Sequence, residues 1–178
     1  MNSQSVLLKL ALIFSLGLMA MICGYFSLFL RIGTAVVVDP RDIFVVLAGV
    51  VTGPVGGLIA GFFAGLPGAD PLVETPMFVV SGLATGIIAR YCLGNHSWIP
   101  SSALGLGCGY ITAGLVLLGL GWYENLATFA FRSLIMINLC ILILIIIDSL
   151  DPGILDWERR MEQADRRADG KRSDFPVE

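Results

Sequence analysis

Histidine is nearly absent from this chain, with His96 the single one. Its absence elsewhere excludes a histidine-built metal cluster and argues against a phosphoacceptor; His96 itself, between Asn95, Ser97 and Trp98, reads as a solvated loop residue. Charge is also scarce, at 14% of residues, where soluble domains carry about 25%. The four cysteines, Cys23, Cys92, Cys108 and Cys140, fall in different apolar segments without metal-ligand spacing, so they read as small buried hydrophobes. A Walker loop, a nucleophile elbow and paired catalytic carboxylates are all missing. Catalysis, a resident metal, a cofactor and nucleic-acid binding are therefore not expected.

What the chain has in abundance is apolar surface: 56% of its residues are hydrophobic and its mean hydropathy is +0.85. Such a composition describes an all-α, polytopic membrane helical bundle. The 178 residues leave room for five or six spans and a short tail. Residues 6–30 form a first apolar run; the uncharged Met1-Asn2-Ser3-Gln4-Ser5 before it is no signal-peptide n-region, so it reads as a retained helix. Residues 42–66 are interrupted at Gly53-Pro54, where proline removes an amide donor and restricts the residue before it. Each half is short of a hydrocarbon core of about 30 Å. The expected architecture is six segments, two of them short helices around Gly53-Pro54, with one kinked span and five crossings as the alternative.

Residues 72–93, 99–121 and 126–147 read as three full spans, with Trp98, Trp122 and Tyr123 at their ends, where aromatic belts lie. Residues 1–150 thus make a transmembrane bundle. Residues 151–178 make a basic tail, partly helical and then disordered, containing Arg159, Arg160, Arg166, Arg167, Lys171 and Arg172. That cluster places the C-terminus in the cytoplasm and the chain in the cytoplasmic (inner) membrane. Within the tail, Ile154, Trp157, Met161, Ala164 and Ala168 recur at alternating spacings of three and four. The pattern suits either a short paired helix, and hence a homodimer, or an amphipathic helix on the inner leaflet.

Intramembrane polar groups carry the functional signal, because each must find a partner or a ligand in a low-dielectric setting. Arg41, flanked by Asp39 and Asp42, either pairs with those aspartates or offers its fork of donors to a ligand carboxylate. Ser81 either bonds a carbonyl of its own helix or faces a ligand. Asn138, alone among apolar residues, is either interhelical glue or a ligand contact. Arg132, near a span end, can snorkel. Gly49, Gly53, Gly57, Gly61 and Gly65 repeat at every fourth position. In water each costs about 1 kcal/mol relative to alanine; in lipid they let a second helix approach to backbone contact.

Asp39-Pro40-Arg41, Leu47-Ala48-Gly49, Gly53-Pro54 and the run from Gly57 through Gly61 to Gly65-Leu66 resemble the membrane-embedded receptor domain of LytS-type sensor histidine kinases. Ser81-Gly82-Leu83 and Leu134-Ile135-Met136-Ile137-Asn138 extend the resemblance to about residue 148. It implies a membrane sensor that binds a small molecule between its helices, carboxylates such as pyruvate included, and relays this to a histidine kinase or other signalling partner. By position, Arg41 and Ser81 become the ligand-facing residues, with Asp39 and Asn138 as further candidates. The chain departs from the family pattern at Pro67, where a basic residue is common, and at Phe78, where a cysteine is. A carboxylate often seen in the fifth segment is missing, and no output domain is evident. The Gly-Pro-rich short helices also resemble the substrate-binding S component of an energy-coupling-factor transporter, with the small-residue faces Ala20/Gly24 and Gly105/Gly109 docking transporter subunits. A third reading is a ligand-free assembly scaffold.

Overall fold

The chain turns where its sequence supplies the chemistry for a turn. The computed structural model describes residues 3–28, 30–32, 36–92, 98–121 and 126–150. On these it forms six α-helices with one small antiparallel hairpin between the first two. The basic tail at 151–178 and the loops carrying His96, Trp122 and Tyr123 lie outside the described residues. Among the helices, four are long and apolar enough to cross a membrane, and the chain is a multi-pass helical bundle.

α1 (Ser3–Tyr25) stops short of the expected end at residue 30. Ser27 takes a left-handed conformation (φ 47°), and the amides of Ser27 and Leu28 turn back onto the carbonyls of Gly24 and Cys23 at 3.1 and 2.9 Å. Two such reversed bonds around a left-handed residue cap a helix C-terminus. The chain then pairs β1 (Leu30–Ile32) with β2 (Val36–Val38), Arg31 opposite Val37. α2 (Pro40–Thr52) begins on the Asp39 cap, whose carboxylate accepts from the Arg41 amide at 3.0 Å, with proline at the first helical position. Both are strong helix starters.

Gly53 separates α2 from α3 (Pro54–Gly65). Its φ of 84° and ψ of −170° fall in a region open essentially to glycine alone. The consequence is a true reversal: the guanidinium of Arg41, at the start of α2, donates to the carbonyl of Ala64, near the end of α3, at 3.1 Å. A continuous kinked helix would hold residues so far apart in sequence about 35 Å from each other. The five-crossing alternative is thereby set aside, and the two short helices lie against each other as a hairpin.

α4 (Pro71–Ile87) passes into a turn of π-helix over Ile88–Cys92 and is followed by α5 (Trp98–Gly119) and α6 (Leu126–Leu150). Contacts fix the direction of each. Gly24 of α1 reaches Arg41, since a Cβ there would lie 3.1 Å from its Cδ; the Gly53 tip of the hairpin reaches Arg90. α5 runs back along α4 with Gly105 against Thr85 and Gly109 against Ser81. α6 descends from Phe129, whose ring meets Tyr110 at 6.2 Å, to Leu144, packed with Val46 and Leu106. The start of α1 and the end of α6 therefore share the Arg90 end of the bundle.

The glycine repeat is not one stripe on one helix, as its spacing suggests. The reversal divides it between two helices that converge on α4. A Cβ on Gly57 would lie 2.5 Å from the carbonyl carbon of Gly82, one on Gly61 2.6 Å from that of Phe78, and one on Gly49 2.7 Å from the Gly82 oxygen. Gly65 meets the backbone of Thr75 in the same way. Gly53 stands apart, making the turn. Gly105 and Gly109 pack inside the bundle against α4, and Gly24 packs against Arg41 and Pro67. The faces that the transporter reading reserved for a partner are thus consumed internally. Helix association in lipid lacks a hydrophobic drive and relies on such close packing.

Two outcomes follow from this arrangement. Reporter fusions ahead of Ser3 and after Leu150 should report the same side of the membrane; opposite sides would contradict the reversal at Gly53. Gly57→Leu should lower the thermal midpoint in detergent far more than Leu58→Ala, whose side chain is 39% exposed. Forcing the backbones apart costs at least about 1–3 kcal/mol, and equal midpoints would mean that Gly57 is not at a seam.

Candidate functional site

Three of the bundle's charged side chains converge where α1, α2, α3 and α4 meet. Arg41 is held in the first turn of α2 by its own N-cap, and only 4% of it is exposed. Its Nε donates to Asp39 Oδ2 at 2.8 Å and its Nη2 to the same carboxylate at 2.6 Å. Its Nη1 donates to the Ala64 carbonyl and lies 2.7 Å from Glu74 Oε2. The last contact is an ion pair. The ring of Phe78 lies under the guanidinium, 4.8 Å from its carbon, a cation–π placement.

Glu74 lies in the first turn of α4. It is anchored by its second oxygen, which accepts from the Ala69 amide at 3.1 Å. One side chain therefore ties the turn between α3 and α4 to Arg41. The available signal was a carboxylate inside the first turn of an apolar span, where it needs a partner; its pairing with Arg41 depends on a fold that brings residue 74 beside residue 41.

Asp42 behaves differently from the expectation that it balances Arg41. It is 1% exposed and points toward α5, where Tyr110 donates its hydroxyl to Oδ2 at 2.6 Å. Oδ1 has no hydrogen-bond partner among the described residues. Tyr110 was also legible in part, because a tyrosine in mid-span, away from the aromatic belts, must satisfy its hydroxyl inside the bundle.

The remaining candidates do not join this cluster. Ser81, one turn along α4 from Phe78, is 1% exposed, abuts Gly109 of α5, and its hydroxyl bonds neither its own helix nor another described residue. Asn138 stands on the exposed side of α6, its Nδ2 donating to the Leu134 carbonyl at 2.7 Å. The structure therefore brings Asp39 and Arg41 together, adds Glu74, and leaves Ser81 and Asn138 elsewhere. A groove of about 410 Å³ between α1 and α2 is lined by Leu8, Leu12, Ser15, Leu16, Leu47 and Val51. It includes none of the candidates.

The Tyr110–Asp42 bond should be measurable. Tyr110→Phe removes a donor from a buried carboxyl group and should destabilise the bundle by about 1–3 kcal/mol. The same change in an Asp42→Leu background should cost much less. Equal costs in both backgrounds, read by thermal unfolding in detergent, would show that the bond contributes nothing.

The family model described as 5TMR of 5TMR-LYT matches residues 1–150 of the chain. No curated protein and no solved structure matches it.

Proposed function

The chain belongs to the 5TMR-LYT family of membrane sensory receptor domains, and from that membership we propose that it binds a small carboxylate at Arg41 and relays its presence to a signalling partner. The observation that carries the reading is the buried guanidinium of Arg41, held by carboxylates from two separate elements. Asp39 belongs to its own helix cap. Glu74 comes from α4 and occupies one edge of the guanidinium as an external carboxylate would. An incoming anion takes the place of Glu74 at Arg41, so the buried guanidinium keeps a carboxylate partner while the displaced Glu74 carboxylate turns to solvent at the bundle end.

This exchange also provides a means of relay. Glu74 leaves Arg41 while remaining attached to the turn at Ala69, which shifts the junction of α3 and α4 at the mouth of the glycine seam. The domain itself is a receptor without enzymatic activity, set in the cytoplasmic membrane with its C-terminus inside, and its partner is a histidine kinase or a comparable output protein. One observation favours a second reading. Arg41 is already paired within the chain, as a scaffold needing no ligand would have it.

Calorimetry with short carboxylates separates the two. Arg41→Lys keeps the charge but loses the planar fork, and should weaken binding by about a hundredfold, equivalent to a few kcal/mol. Glu74→Gln removes the internal competitor and should tighten binding. If no carboxylate binds the wild type, or if Arg41→Lys binds as tightly as wild type, the receptor reading at Arg41 fails and the scaffold reading stands.

A further inference from the structure

α6 rests on the bundle along one side, through Met136, Cys140 and Leu144. Its other side is exposed, with Phe131 at 65%, Leu134 at 61% and Leu142 at 54%. An apolar surface of this kind suits lipid and needs no protein partner. Asn138 does not fit that surface. It sits at the midpoint of Leu126–Leu150, about 18 Å from either end, and so near the centre of a bilayer. One N–H of its amide bonds to the Leu134 carbonyl of its own helix. Its other N–H and its Oδ1 have no partner among the described residues. In hydrocarbon there is no water to satisfy them.

The residues around Asn138 show what would. Phe131, Asn138 and Ile145 follow one another at intervals of seven, with Leu134 and Leu142 beside them, which is the a-position pattern of a two-stranded coil with a single asparagine in it. In a parallel pair, each a position faces its own copy. An asparagine amide is self-complementary, carrying both donor and acceptor. Copies of one membrane protein insert in one orientation, so a two-fold axis along the membrane normal makes the pair parallel and the contact isologous. Arg132 lies about 240° around the helix from Asn138, so the pairing does not bring two arginines together. The sequence beyond α6 points the same way: Ile154, Trp157, Met161, Ala164 and Ala168 carry a second heptad pattern, which has use for a neighbouring copy.

We propose that a second copy of this chain docks on the exposed face of α6, with the Asn138 amides of the two copies hydrogen-bonded to each other near the bilayer centre. The inference concerns assembly and is independent of what binds at Arg41. An interhelical amide bond of this type contributes modestly, so its loss weakens the pair without abolishing the fold.

Sedimentation equilibrium of the full chain in detergent tests it, over a range of protein-to-detergent ratios. The wild type should dimerise reversibly. Asn138→Leu should weaken the dimer on the order of tenfold while leaving the thermal midpoint of the monomer in place, and Asn138→Gln should restore much of the association. In native membranes, Phe131→Cys and Ile145→Cys should form disulfide-linked dimers on oxidation, above the background given by Leu139→Cys on a neighbouring face. A wild type that stays monomeric at every ratio, an Asn138→Leu variant that dimerises like wild type, or cross-linking no greater at 131 and 145 than at 139 would each overturn the proposal.

Discussion

Backbone contact between Gly57 and Gly82 is the constraint on which the rest of this bundle depends. The two glycines exclude each other's Cβ positions, so α3 and α4 meet at a separation that no other residue pair permits. α2 reaches the same point of α4 through Gly49. Three backbones can converge there only because the chain reverses at Gly53, in a conformation that a side chain would forbid. The same reversal returns Ala64 to the level of Arg41 and starts α4 beside both. The polar cluster at the mouth is thus a consequence of how the seam is closed.

Much of the fold was legible in the sequence, because its signals are local. Apolar runs marked the long helices and the Gly53-Pro54 break marked the hairpin, while the start of α2 at Pro40 lies two residues ahead of the expected residue 42. The signal at the end of α1 was weaker, since Ser27 makes a left-handed cap that glycine more often makes. The spacing of the glycine repeat suggests a single stripe on one helix. Sequence spacing cannot say that positions 49 and 57 lie on helices running in opposite directions.

The candidate site was less legible, for a physical reason. Arg41 could be recognised as a buried charge in need of partners, and Asp39 as one of them, because both sit in the same helix start. Glu74 and Tyr110 are separated from Arg41 and Asp42 by 33 and 68 residues, and only tertiary packing assigns them. Asp42 was grouped with Arg41 because the two are adjacent in sequence. Adjacent helix residues point about 100° apart, which is why Arg41 faces α3 and α4 while Asp42 faces α5.

The contrast between Arg41 and Asn138 separates two uses of polarity in lipid. Arg41 lies near a bundle end and is compensated within the chain by two carboxylates, a carbonyl and an aromatic ring. Asn138 is neutral and lies at mid-span, and its own helix satisfies it only in part. A neutral amide is cheap enough to be tolerated in a lone copy and specific enough to select a register when two copies meet. The two groups sit on opposite sides of the packed core, one among the helices around the glycine seam and the other on the outward face of α6. α5 is packed against both α4 and α6. The Tyr110–Asp42 bond links α5 back to the start of α2, so α5 is tied to the helix that carries Arg41 at one face and packs on the helix that carries Asn138 at the other.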